Sequence, residues 1–328
     1  MASNGFAIDQ SHVNFSEEPG KGYFMENGRM YGGWHRGQCL FPIDEAELDR
    51  LDAMHKFFLV ALRYHLYSPH INLDDIKNLR VLDLGTGTGM WALDMAKRFF
   101  NNGDSLIHGV DLSTLMQASQ IYQNNRFEAM DIEEPWHTKI MENSYHLIHA
   151  RMLAGSIHVD SWPRIYNEAF RALVPGTGWI QHVEVDWNPC NDIGPVSPRL
   201  RFWIDNLFDA MDQIRRPLRL DPQATQQALA NAGFVEIKQE VIHVFVNGSA
   251  KNPYEIDVGR WFNLSIHKSF MNLSLAPLFR IKKWQPEQIE QLQTEVLDEI
   301  GERTNKSYCK LYVWTARRPP HHFPPMLR

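Results

Sequence analysis

Residues Val81 to Ala92, VLDLGTGTGMWA, run a short apolar strand into three glycines and then into the start of a helix. Gly85, Gly87 and Gly89 permit positive φ and let backbone N–H groups approach a ligand closely. The helix that follows aims its unpaired amino-terminal donors at the same point. Thr86 and Thr88 add hydroxyls at the rim, Asp83 stands just ahead of the glycines, and a second apolar run, Leu106 to Asp111, ends in another acid. A tight donor loop with an acid one strand away suits a nucleotide-like cofactor, because a carboxylate there can accept hydrogen bonds from ribose hydroxyls.

Two cofactors compete for such a loop. A dinucleotide fingerprint reads G-x-G-x-x-G/A, whereas here the third glycine comes one residue early and Met90 stands in its place, a spacing that disfavours NAD. Strand, glycine triplet and spaced acid together resemble the class I methyltransferases, which bind S-adenosyl-L-methionine. That resemblance implies cofactor contacts from Asp83, Gly85, Thr86, Gly87 and Gly89, from Asp111 with Leu112 at the ribose, and from Asp131 with Ile132 at the adenine.

A sheet must hold these residues, and from Leu79 onward strand and helix patterns alternate as in a doubly wound parallel sheet. Strands are expected at Arg80 to Leu84, Leu106 to Asp111, Arg126 to Ile132, Tyr145 to Ala150, Gly178 to Val185, Val235 to Val246 and Tyr308 to Ala316. The fold class is therefore α/β: a Rossmann-like class I S-adenosylmethionine-dependent methyltransferase with helical insertions and an antiparallel last strand. Ligands in such sheets lie at the carboxyl ends of the strands. His149, Arg151, His182, Glu184 and Asp186 fall there, and His149 and His182 are candidate general bases because imidazole titrates near neutral pH. A base is needed only if the acceptor must lose a proton.

The remaining chain divides around this core. Residues 1–22 form a polar lead-in, residues 23–318 a single domain, and residues 319–328 a Pro-rich tail. Within the domain, residues 23–75 read as an N-terminal helical cap begun by Asp44 as N-cap, 79–187 as the cofactor-binding core, 188–220 and 250–304 as helical insertions, and 305–318 as the last strand. Tyr23, Tyr31 and Trp34 could close over the cofactor, although packing is the commoner use of such a cluster.

Bulk properties exclude some functions. A net charge of −6 lacks the basic field of a protein that grips a phosphate backbone unaided, so no direct nucleic-acid binding is expected. Three widely spaced cysteines give neither a disulfide framework nor zinc-ligand spacing. No apolar run reaches the roughly 18 residues of a membrane span, and the N-terminus carries no signal pattern, so neither a membrane nor a secretory route is expected. The HARML segment lacks the Asn-Pro-Pro-Tyr type of motif used on DNA bases, which disfavours nucleobase methylation.

Outside the glycine loop, the words ENGRMYG, LFPIDEAELDRLDAMHKFFLVA, HVEVDWNPCND, DVGRWFNL with LSLAPL, and VWTARRP resemble the LaeA-like methyltransferases, the methyltransferase-like subunits of fungal velvet complexes. The match runs from Tyr23 to Pro319, with two departures from the family pattern: Gln181 stands where the family has Glu, and the long Ser/Pro-rich N-terminal extension of many members is not seen. What the resemblance implies is a regulator of secondary metabolism and development, acting in the nucleus with velvet-family proteins. Two alternatives remain open at this point, a pathway methyltransferase acting on a small metabolite and a methyltransferase-fold scaffold without transfer.

Overall fold

The computed structural model describes residues 22–33, 40–117 and 122–320. Its centre is a seven-stranded sheet of β3 (Arg80–Leu84), β4 (Leu106–Asp111), β5 (Asn125–Ala129), β6 (Leu147–Arg151), β7 (Trp179–Cys190), β8 (Val235–Phe245) and β9 (Tyr308–Arg317). The strand order is β5-β4-β3-β6-β7-β9-β8. β9 runs antiparallel to both neighbours, while the pairs among β5, β4, β3, β6 and β7 are parallel. The order reverses between β3 and β4 on one side and β6 on the other, so the crevice opens at the end of β3, directly over the glycine loop.

Helices cover both faces. α2 (Met90–Arg98) packs Trp91 and Met95, with its C-cap Phe99, on one side, and α3 (Trp162–Ala172) with α5 (Pro222–Asn231) packs Ile165, Phe170 and Leu229 on the other. A third core joins α1 (Glu45–Ala61), α4 (Pro198–Gln213), α6 (Pro253–Ala276) and α7 (Pro286–Gly301) against β7 and β9 through Phe58, Trp187, Trp203, Phe262 and Phe270. The two insertions are thus load-sharing parts of one hydrophobic core rather than appendages. Their starts are written in the sequence: α4, α5, α6 and α7 all begin on proline, where the missing N–H costs nothing, and Asp44, Asp221 and Asn252 cap α1, α5 and α6.

Three expectations are revised. The N-terminal cap is not purely helical, since β1 (Tyr23–Glu26) and β2 (Arg29–Gly32) form a hairpin turned at Asn27 and Gly28, both at positive φ. β5 stops at Ala129 instead of Ile132, because the Asp131 side chain accepts a hydrogen bond from Glu133 N at 2.8 Å and turns the chain out of the sheet. β7 extends to Cys190, past the expected end at Val185, because β9 continues to pair with it across an irregularity between Asp186 and Cys190. The lead-in up to residue 21, Trp34, Cys39 and the tail from 321 lie outside the described residues. No helix among the described residues is long and apolar enough to cross a membrane.

Candidate active site

β3 delivers the chain into Gly85, Gly87 and Gly89, which adopt φ of 62°, 57° and 81°. A Cβ on Gly85 would lie 2.4 Å from Leu153 Cδ2, and one on Gly87 would lie 3.3 Å from Leu51 Cδ1, so side chains there would fill the space the loop keeps open. The loop is tied to the next strand: Gly87 N donates to Asp111 Oδ2 at 2.9 Å and Thr86 N to Val110 O at 3.0 Å. Burial pushes the Asp111 carboxyl up to about 6, against the pull of backbone N–H groups of Gly87, Ser113 and Leu112. The carboxylate is thereby held at some cost beside the cradle, where it can receive hydroxyl donors.

A cavity of about 210 Å³ opens over this loop. Gly85, Gly87, Asp111, Leu112, Asp131 and Ile132 line it, together with the apolar side chains of Phe41, Met152, Trp187, Leu218 and Leu273. Across the same region, a family model described as a methyltransferase domain matches residues 81–176. Over its whole length the chain is 38% identical to the secondary metabolism regulator LAE1 of Cochliobolus heterostrophus, across 97% of this chain and 99% of that protein. It is 39% identical to the secondary metabolism regulator laeA of Gibberella zeae, across 90% of this chain and 92% of that protein. It is 37% identical to the protein-methionine methyltransferase laeA of Emericella nidulans, across 90% of this chain and 77% of that protein. The chain belongs to the LaeA family. It is an S-adenosylmethionine-dependent methyltransferase.

The LaeA-type cavity fits that cofactor. Small residues keep the cradle open at Gly85 and Gly87, carboxylates at the ends of β4 and after β5 face it, and Leu112, Met130 and Ile132 supply apolar wall beside them. Bound there, S-adenosylmethionine supplies a methyl group on a sulfonium that departs as a neutral thioether, so orientation by the surrounding residues carries most of the rate.

Three expected cofactor residues stand one layer behind the cavity wall. Asp83 is 3% exposed and spends one oxygen on Thr86 Oγ1 at 2.6 Å and the other on His149 Nδ1 at 2.8 Å. The Thr86 hydroxyl therefore turns inward, and Thr88, expected at the rim, is buried and donates to Asp52 at 3.1 Å. Gly89 caps α2 with its α-carbon packed towards Phe127, whose ring a Cβ would meet at 2.5 Å. These residues fix the loop's shape from behind.

The two candidate bases stand away from the cavity wall. Neither His149 nor His182 lines the cavity. His149 lies flat on Trp91 with ring centroids 3.7 Å apart, and burial pulls it down to about 4 despite Asp83, so it is a neutral core donor at pH 7. His182 sits between Tyr166 and Glu184, at 2.9 and 3.0 Å, and packs on Trp162. Both lie on strands covered by helices, which is where a histidine becomes structural. Glu184, also placed near the crevice by the strand pattern, works through the backbone: its Oε1 accepts from Leu153 N at 2.7 Å and Ala154 N at 3.0 Å, and both residues line the cavity. Gln181 accepts from Ser68 N at 2.7 Å, a bond its amide oxygen makes as well as the family's Glu would.

Sequence reasoning overlooked two ion pairs of the wall, one buried and one part-buried. Glu47 and Arg50 meet at 2.6 and 2.8 Å, and Glu133 and Arg216 at 2.6 Å. For the first, the signal was present: opposite charges three residues apart on the apolar face of α1 mark a buried pair. For the second there was none, because Glu133 and Arg216 are 83 residues apart.

Proposed function

We propose that this protein transfers the methyl group of S-adenosylmethionine to a methionine thioether of a protein partner, and so regulates secondary metabolism. The observation that carries this reading is the absence, among the described residues, of a free base in the cavity wall. No His, Tyr, Cys or Lys lines the cavity among the described residues. The carboxylates that do are engaged: Glu47 by Arg50 and by Asn272 Nδ2 at 2.7 Å, Glu133 by Arg216, Ser161 Oγ and His158 N, Asp111 by Gly87 N, and Asp131 by Glu133 N. Burial acts to raise Glu133, but the Ser161 hydroxyl and Arg216 outweigh it and hold the carboxyl below its usual range, so it is a poor base.

An amine or hydroxyl acceptor has a proton to lose; a thioether has none. Its sulfur takes the methyl carbon as the carbon–sulfur bond of the donor breaks, giving a methylsulfonium and S-adenosylhomocysteine with no proton moved. Trp187, Leu218, Leu273 and Phe41 give such a soft, weakly hydrated group an apolar berth. The similarity to the protein-methionine methyltransferase laeA of Emericella nidulans supports the same acceptor class. The resemblance to velvet-complex subunits supports velvet-family proteins as the partner, the nucleus as the place of action, and a role in development.

The test is to incubate the purified protein with methyl-labelled S-adenosylmethionine and synthetic methionine-bearing peptides from velvet-family proteins, and to locate the label by mass spectrometry. Label on a methionine sulfur is expected, and label confined to nitrogen or oxygen would overturn the thioether assignment. In a deletion strain, wild type should restore many metabolites while Asp111→Ala should not. Restoration of a single methylated compound would instead indicate a pathway enzyme, and full rescue by the variant a scaffold.

A further inference from the structure

Three guanidinium groups open on the cavity, those of Arg50, Arg151 and Arg216. Two of them are neutralised, Arg50 by Glu47 and Arg216 by Glu133. Arg151 has no carboxylate within ion-pair distance among the described residues. Its side-chain partners are His55 Nδ1, at 3.2 Å from Nη2, and the face of Phe58, whose ring centre lies 4.7 Å from the guanidinium carbon. The two acids that act on it from farther away are already occupied, Asp83 by His149 and Thr86, and Asp94 by His55. Burial lowers Arg151 to about 10, which still leaves it charged at neutral pH. A half-buried cation without a counter-charge is costly unless a ligand supplies one.

The surroundings of Arg151 look arranged to aim it. His55 is buried, which lowers its pKa, and its Nε2 donates to Asp94 Oδ2 at 3.0 Å. That bond selects the tautomer whose Nδ1 carries a lone pair, and the lone pair accepts one N–H of Arg151. Among the described residues, one of the five guanidinium N–H donors is used. Arg151 also ends β6, which pairs with β3 at Leu84↔Ala150, so it sits beside Gly85 at the turn of the glycine loop. Asp111, at the end of β4, and Asp131, just after β5, lie on the other side of β3 in the strand order, where the nucleoside belongs.

We infer that Arg151, oriented by His55 and Asp94, is the counter-charge for the carboxylate on the methionine half of S-adenosylmethionine. It is a cofactor-positioning residue, and the inference rests on the reading of this cavity as the cofactor site. The carboxylate completes the third guanidinium as Glu47 and Glu133 complete the other two. Through it the sulfonium end of the ligand is pinned beside the apolar acceptor wall.

Isothermal titration calorimetry of wild type, Arg151→Met and Arg151→Lys with S-adenosylmethionine and with decarboxylated S-adenosylmethionine tests this. Wild type should bind the carboxylated ligand about 30-fold or more tightly than the decarboxylated one, the loss expected on removing one member of a buried charge pair. In Arg151→Met, that preference should fall to within about threefold, the decarboxylated ligand binding much as it does to wild type, and Arg151→Lys should lie between. Equal binding of both ligands by wild type, or an unchanged preference in Arg151→Met, overturns the inference, and the wild-type comparison stands even if the Met variant fails to fold. Wild type that binds neither ligand would instead count against the cofactor site itself.

Discussion

Asp111 shows a carboxylate of the cavity wall held against the stability of its own fold. Its folded-state pKa, about 6, lies above the ordinary 3.8. An acid raised in this way favours the folded state when protonated, so its contribution is present in acid and is lost as pH rises through 6. At pH 7 the ionised group costs the empty protein on the order of 3 kcal/mol. Asp111→Asn keeps an oxygen for Gly87 N and removes the charge. The expected result is a cofactor-free protein whose Tm rises by about 2–5 °C, measured by calorimetry, while its Kd for S-adenosylmethionine rises roughly 10-fold or more. A variant both less stable and fully binding would mean that the carboxylate serves packing rather than the ribose. Asp111 was legible from sequence because it ends an apolar strand one repeat after the glycines. Arg151 was visible only as a polar residue at a strand end, since its significance lies in a carboxylate that is not there.

At the scale of elements, the strands β3 and β4 were read with the bounds the structure gives them, because buried parallel strands are continuous apolar runs with abrupt ends. The β1–β2 hairpin was missed although Asn27-Gly28 is a strong turn signal, since the flanking residues alternate poorly. What fixes that hairpin is tertiary. Arg29 grips Asp44 with two bonds of 2.6 and 2.7 Å and donates to Asn272 at 2.8 Å, while Asn272 reaches Glu47 225 residues away in sequence. No local pattern can reveal such a knot. The DVGRWFNL word has a similarly physical meaning: a Cβ on Gly259 would lie 2.1 Å from Asn247 O, so α6 can pack on the end of β8 only through a bare α-carbon. Asn247 in turn holds Ile300 O and Glu302 O at the end of α7. Gly259→Ala should therefore lose about 1–3 kcal/mol in urea unfolding, since backbone cannot swing aside as a side chain can. Gly301→Ala, with nothing within 4 Å of its added carbon, should be neutral or slightly stabilising. Equal losses at both positions would show that helix propensity, not close approach, sets the need for glycine.

Across the whole molecule, the buried site couples stability to pH in two opposing senses. His149 is neutral in the fold, with a pKa of about 4, whereas it takes up a proton near 6.5 when unfolded. Its contribution is complete above 6.5 and falls by roughly 1.4 kcal/mol per pH unit as acid drives the unfolded chain to bind the proton the fold refuses, levelling off near 4. The groups around it that titrate or carry charge are Asp83, Arg151 and His182, with Trp91 stacked on its face. Over much of the same window Asp111 acts the other way, gaining stability as it protonates below about 6. In the native protein the two partly cancel, so the cofactor-free chain should lose little stability from this pair between pH 6 and 5. Separating them exposes each. Asp111→Asn should steepen the loss of unfolding free energy towards acid, and His149→Gln, less stable at pH 7 for want of its stack on Trp91, should flatten it. Urea denaturation at pH 7, 6 and 5 gives the three slopes directly. Parallel curves for all three proteins would mean that neither group changes protonation on unfolding in this range, and that the acid response of the fold comes from carboxylates such as Asp44 and Glu133, whose arginine partners hold them low despite burial.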